Sequence, residues 1–312
     1  MNRIIGEYIG KKGGPLLIIF GAMHGNESAG VKAIDLALKM LEVEPIKNLD
    51  FEYQGGMLGL IGNLSAYEKG ERFNNKDLNR CWIKKDILDA KTKQKESLTE
   101  EEIEIQEVLA VVNNAIITHT PSEVVILDLH TTSSDGGIFS IVGDSDRSLK
   151  IAKQIHAPVV LGMLDGLKGT TLHYFTTENL NYKTSAITFE SGQHEDPLSI
   201  NRAIAAIITC MRTIESVKPT DVENQHDSIL RKYSTDLPQV ARLLYTHSIR
   251  PSDNFKMKEG FQNFQKVSAE EVLAKDVSGE IKSRSDGMIL MPLYQKKGED
   301  GFFIIKEEIH EN

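Results

Sequence analysis

A chain of 312 residues, 40% of them hydrophobic, is long enough to bury a full core and to form one large α/β domain with a smaller appendage. Its 45 acidic against 36 basic residues leave a formal charge of -9, which argues against a nucleic-acid partner. Cys81 and Cys210 are the only cysteines, too few for a disulfide scaffold and in keeping with a reducing compartment.

Residues 1–7 lack the apolar stretch of about 7 to 15 residues that a secretory signal needs. No run approaches the roughly 20 apolar residues that span a bilayer. The expectation is a cytoplasmic protein with no membrane partner. Lys11-Lys12-Gly13-Gly14-Pro15 reads as a turn, and residues 16–20 form a continuous apolar run typical of a strand buried on both faces. Similar runs recur at 57–62, 124–129, 138–142, 158–162 and 186–190. Between them lie helical patterns at 28–41, 99–118, 147–156 and 199–214, the second opening on a Thr99/Glu102 capping box. Residues 89–102 are charged and aperiodic, as in a surface loop. The alternation predicts a mostly parallel or mixed sheet sandwiched by helices. From residue 216 a polar connector at 218–225 leads into short strand-like pieces punctuated by Gly260, Gly279, Gly287 and Gly301, the pattern of a smaller C-terminal all-β domain. The expected division is 1–215 and 216–312.

Three polar residues follow apolar runs. His24 and Glu27 stand three apart after the first run, in Gly21-Ala22-Met23-His24-Gly25-Asn26-Glu27, and His130 closes Leu127-Asp128-Leu129-His130. Strand ends are where a parallel sheet opens its crevice. Two imidazoles and a carboxylate there form the ligand set of a catalytic zinc ion with an open position. Asp128 shares a strand face with His130 and is placed to orient a ligand. The plainer alternatives are a surface histidine beside a helix-start carboxylate and a core histidine bonded to backbone. Arg72 and Arg80 lie in a segment of loop character, Arg72-Phe73-Asn74-Asn75-Lys76-Asp77-Leu78-Asn79-Arg80. Their guanidinium forks suit a carboxylate or a developing oxyanion, with a solvated charge cluster as the alternative. Glu190 ends another strand and is placed for a general base, or for simple solvent exposure. His119, His156, His173, His194, His226, His247 and His310 have no partner at recognisable spacing and read as structural or surface. The sequence contains neither a Gly-x-Ser-x-Gly elbow nor a phosphate-binding Gly-x-x-x-x-Gly-Lys loop.

Taken together, His24-Gly25-Asn26-Glu27, Asp77-Leu78-Asn79-Arg80, Asp128-Leu129-His130-Thr131-Thr132 and the Glu190 strand resemble, in order and separation, the succinylglutamate desuccinylase/aspartoacylase family. That family's catalytic domain is similar to the zinc carboxypeptidases. The resemblance covers most of the chain. It implies that His24, Glu27 and His130 bind one Zn2+, that Glu190 is the base, and that Arg72 polarises the scissile carbonyl. Asn79 with Arg80 would hold a substrate carboxylate, and Tyr294, in the all-β segment that leans over the cleft, would reach the substrate. The implied activity is amide hydrolysis of a small anionic N-acyl amino acid; a carboxypeptidase for short peptides and a noncatalytic metal or carboxylate receptor are the alternatives. A homo-oligomer is compatible with the chain. Aspartoacylases carry an arginine shortly before the catalytic glutamate, and residues 170–189 contain none. Lys183 and His173 are the nearest basic side chains, so an acyl amino acid other than acetylaspartate is in play.

Overall fold

The structure, a computed structural model, describes residues 1–143, 145–222 and 225–308. Glu223 and Asn224 of the connector, and His310, lie outside the described residues. In chain order the strands are β1 (Ile4–Ile9), β2 (Lys11–Gly21), β3 (Gln54–Ile61), β4 (Val124–Thr132), β5 (Phe139–Val142), β6 (Val159–Leu161), β7 (Thr184–Gln193) and β8 (Val240–Ser248). They continue with β9 (Lys256–Met257), β10 (Lys266–Val267), β11 (Val272–Asp276), β12 (Gly279–Lys282), β13 (Gly287–Leu290) and β14 (Asp300–Glu307). One sheet of 11 strands runs β1-β3-β2-β4-β7-β5-β6-β8-β14-β13-β10, and β12-β11-β9 form a small second sheet. The centre, β3-β2-β4-β7, is parallel, whereas β5 runs antiparallel to β7 and the far edge is antiparallel. The expected mixed sheet with helices on both faces is therefore present.

Strand alternation sends neighbouring residues to opposite faces. On β2, Ile18 and Phe20 join one core with Ile126 of β4 and with Ile105, Val108 and Val112 of the helix Glu100–His119. Leu17 and Ile19 join the other with Leu127 and with residues of the helices Ser28–Lys47 and Leu198–Thr213, such as Ile34 and Ile207. Being covered on both sides is why these strands read as unbroken apolar runs. Asp128 and His130 on β4, and Thr188 and Glu190 on β7, fall on the face of Ile126 and Ala186.

All expected strands form, most of them longer than their apolar stretches. Several features differ from the sequence reading, among them the expected turn at 11–15, which instead opens strand β2. The edge strand β1 was not expected. A helix, Lys84–Thr92, occupies the first part of the expected 89–102 loop, burying only Ile87 and Ala90. Another, Gln225–Tyr233, lies within the segment read as all-β and buries Leu230. Short polar helices that bury one or two residues give little periodicity to read. Nor does the sheet stop near residue 215. Val159 of β6 pairs in parallel with Val240 of β8, and β8 continues into β14, β13 and β10. No helix among the described residues is long and apolar enough to cross a membrane.

The helix Glu100–His119 also anchors loops at the carboxyl end of the sheet. Buried Glu101 accepts hydrogen bonds from the Asn75 and Lys76 amides at 2.8 and 3.0 Å. Buried Glu104 accepts from the Leu64 and Ser65 amides and pairs with Arg3 at 2.6 Å. The capping box that starts the helix is formed: the Glu102 amide donates to Thr99 Oγ1 at 3.2 Å and the Thr99 amide to Glu102 Oε2 at 2.9 Å. Thr99→Ala is expected to lower unfolding stability by about 1 kcal/mol. Urea denaturation measures this, and a loss below a few tenths of a kcal/mol would show the box to be idle.

Candidate metal centre

His24, Glu27 and His130 meet at the carboxyl ends of β2 and β4. One ligand atom from each lies within 4.8 Å of the others, and the three residues are 5%, 3% and 3% exposed. That burial removes the surface-histidine alternative. Glu27 sits at the N-cap of the helix Ser28–Lys47 without capping it. Its carboxylate instead reaches His24 Nδ1 at 2.8 Å through Oε1 and His130 Nδ1 at 3.0 Å through Oε2, and Oε2 also accepts from the Thr131 amide at 3.0 Å. Gly25 is required between them, because a Cβ there would lie 2.3 Å from the Ala66 carbonyl carbon and 2.5 Å from the Glu71 oxygen. Its amide instead bonds the Arg72 carbonyl at 3.0 Å.

Each imidazole has a second carboxylate behind it. His24 Nε2 lies 3.1 Å from Asp77 Oδ1, and His130 Nε2 lies 3.1 Å from Asp128 Oδ2. Both Nδ1 atoms face Glu27 and both Nε2 atoms have a carboxylate behind them, His24 Nε2 within hydrogen-bond reach of Asp77 and His130 Nε2 close to Asp128 without a hydrogen bond, so a metal on the Nδ1 side would find each ring backed by a carboxylate. Asp77 is itself held by the Asn79 amide at 2.9 Å, and Asp128 by the Thr171 hydroxyl at 2.5 Å. Arg72 lies against the same group, 3.3 Å from Glu27 Oε1, 3.0 Å from His24 Nε2 and 3.5 Å from Asp77 Oδ2.

These contacts set the ionisation. Burial opposes charge on Glu27, yet His24 and His130 hold its carboxyl well below the usual range. Burial likewise works against Asp77, which His24 and Arg72 keep far below the ordinary carboxylate value. His130, also penalised by burial, is held well above the usual histidine range by Asp128 and Glu27. Glu190 faces His130 across the β4–β7 ladder. It is 4% exposed, and its buried Oε2 has no hydrogen-bond partner. Burial pushes its carboxyl up to about 8, against the pull of His130.

A cavity above the cluster is lined by His24, Glu27, His130, Glu190, Arg72, Asn79 and Arg80, so the structure brings these sequence-predicted residues together. Tyr294 is not brought in. Its hydroxyl donates to the Lys258 carbonyl at 2.8 Å and accepts from the Phe261 amide at 2.9 Å, which turns it away from the cavity that its neighbours Leu293 and Gln295 line. His173 is engaged with Thr170 and the Leu164 carbonyl. Lys183 pairs with Glu123 just before β7, at the end of that strand away from Glu190. His194, read as structural or surface, lies beside the cluster with Nδ1 2.7 Å from Thr131 Oγ1. Sequence reading gave no role to Asp77, Thr171, Glu299 or Asp300. Only Asp77 had a local signal, an Asp two residues before an Asn in a turn-forming segment.

The Succinylglutamate desuccinylase/Aspartoacylase catalytic domain profile matches residues 13–214. A protein named "Probable aspartoacylase" from Nostoc sp. is 31% identical over 131 residues, which are 42% of this chain and 40% of that protein, so the match spans well under half of the relative's length. Among solved structures, a succinylglutamate desuccinylase from Vibrio parahaemolyticus aligns with a TM-score of 0.63 at 17% identity, covering 96% of this chain and 85% of that one. Murine aminoacylase 3 aligns with a TM-score of 0.62 at 17% identity, covering 95% of each chain. At these identities the structures show a shared fold, while the domain match extends over the strands and loops that carry the cluster. The chain therefore belongs to the succinylglutamate desuccinylase/aspartoacylase family.

Proposed function

We propose that the protein is a zinc-dependent hydrolase that cleaves the amide bond of a small N-acyl amino acid. The observation that carries this reading is the buried convergence of the three candidate ligands, both histidines turning Nδ1 to Glu27 with a carboxylate 3.1 Å from Nε2. A buried borderline donor set of two imidazoles and one carboxylate fits Zn2+. A cation held by His24, Glu27 and His130 would supply Lewis-acid activation of water and of the scissile carbonyl.

The chain's own residues supply the rest. Glu190 takes a proton at its unpartnered Oε2 and returns it to the departing amine. Arg72 offers guanidinium donors to the oxyanion that develops at the carbonyl. Asn79 and Arg80 line the substrate side of the cavity, where a carboxylate would fix the amide over the cluster. The Tyr294 hydroxyl, bonded elsewhere, has no part in this reading. The cavity measures about 70 Å³, against roughly 300–1,000 Å³ for sites that enclose drug-sized ligands. That favours a small acyl amino acid over a peptide. A receptor without turnover would have no use for a buried, unpaired carboxylate facing the ligands. A cytoplasmic setting is part of the proposal, supported by two free, buried thiols.

Two outcomes are expected. Glu190→Gln retains about one zinc per chain by plasma mass spectrometry and loses about 10²- to 10⁴-fold in kcat; near-normal turnover would remove Glu190 as the base. Asp77→Asn and Asp128→Asn each weaken zinc binding about 10- to 100-fold in competition with a chromophoric chelator. Unchanged affinity would show that these carboxylates do not orient the ligands.

A further inference from the structure

The cations that line the cavity, apart from its histidines, are Arg72 and Arg80, and both are already paired. Arg72 pairs with Glu27 and Asp77, and in the reading above its remaining donors serve the reacting carbonyl. Arg80, only 14% exposed at its side chain, donates from NH2 to Asp300 Oδ2 at 2.8 Å and from NH1 to the Asn79 carbonyl at 2.9 Å, with Glu299 3.9 Å from its Nε. Asp300 opens β14, and Ser248 of β8 donates to its Oδ1 at 3.2 Å. The carboxylate is thus fixed from two sides. Nearby Lys297 is taken up by Glu71 at 2.9 Å and does not line the cavity. The rest of the wall mixes apolar side chains, among them Ile141, Leu172, Met291 and Phe303, with uncharged polar ones, among them Thr132, Ser133, Thr170 and Gln295.

A guanidinium has five N–H donors, so one substrate carboxylate can share the outer edge of the Arg80 fork. A second carboxylate would find no uncommitted cation among the described residues lining the cavity, and would face Glu299 and Asp300. To claim Arg80 fully it would have to leave Asp300 part-buried and unpaired, which is strongly unfavourable. We infer, resting on the hydrolase reading above, that Asp300 is a specificity-determining residue. By neutralising Arg80 it excludes N-acyl dicarboxylic amino acids and leaves the cleft to N-acyl amino acids with short uncharged side chains.

The test compares kcat/KM of the zinc-loaded full chain for N-acetyl-L-valine and N-acetyl-L-leucine with that for N-acetyl-L-aspartate, in the wild type, Asp300→Asn and Glu299→Gln. The wild type is expected to favour the aliphatic substrates, and Asp300→Asn to shift the ratio toward aspartate by about tenfold or more, mainly through KM. Glu299→Gln, whose residue is more exposed and further from Arg80, should shift it less. A wild type that favours N-acetylaspartate, or a ratio in Asp300→Asn within about twofold of wild type, overturns the inference. Should Asp300→Asn fail to fold by thermal melting, Asp300→Ser reads the same ratio. If no amide turns over in zinc-loaded protein, the hydrolase reading falls and calorimetric titration with free leucine and aspartate decides the selectivity. Binding of leucine over aspartate that Asp300→Asn reverses sustains the role of Asp300, and its absence overturns it.

Discussion

The site depends on one electrostatic constraint: Glu27, Asp77 and Asp128 are buried carboxylates packed around two imidazoles, with Arg72 as the permanent cation in contact with Glu27 and Asp77. Truncating one partner of a buried pair typically costs about 3–5 kcal/mol, because the other charge is left without compensation. Glu190 adds a fourth buried carboxyl, which burial keeps protonated up to about pH 8. His130, held well above the usual histidine range, supplies part of the missing positive charge. A dication on the Nδ1 side of both rings would supply it more completely and release those protons. The same arrangement that is costly without a metal is what makes it a good metal site.

The backbone sets this geometry through periodicity. Ile126, Asp128 and His130 alternate onto one face of β4, and Ala186, Thr188 and Glu190 onto the matching face of β7. In-register parallel pairing then puts Glu190 opposite His130. A one-residue slip would send both side chains into the opposite core. The fully apolar strands thereby fix the register that places the chemistry. The other two candidate ligands, His24 and Glu27, come from the turn after β2, tight enough to require Gly25 where residues 66–72 cross it. That loop is held from below by Glu101 and Glu104 of the helix Glu100–His119.

How much of this could be read from the sequence follows from the range of each interaction. His24, Glu27, His130 and Glu190 were legible because each interrupts or ends an apolar strand, so a local pattern marks its place. Asp128 was legible by strand parity. Asp77 stood in a recognised motif without a role, since its contact with His24 spans 53 residues. Asp300 gave no signal at all: its partner Arg80 is 220 residues away. Tyr294 stands in a segment that reaches the cleft, yet side-chain direction depends on the Lys258 carbonyl and the Phe261 amide, which no sequence pattern reports. The continuity of the sheet into the C-terminal β region was hidden for a related reason. The connector after Leu198–Thr213 has the composition of a domain linker, but β8 returns to pair with β6, a non-local ladder invisible in composition.

That continuation of the sheet bears on selectivity. Because β8 and β14 are hydrogen-bonded extensions of the sheet that carries the ligands, Asp300 at the start of β14 is placed relative to Arg80 by ladder geometry and by Ser248. It does not depend on a loosely docked second body. The candidate metal ligands and the proposed base come from residues 24–190, whereas Asp300, Met291 and Phe303 line the cavity from the C-terminal segment. Substitutions at the start of β14 therefore alter the charge offered to a substrate through Arg80, whose charge also acts on Asp77 of the network beneath. Substrate choice is shared between Arg80, in the stretch that carries the cluster, and Asp300, from the C-terminal segment that the same sheet holds in register with it.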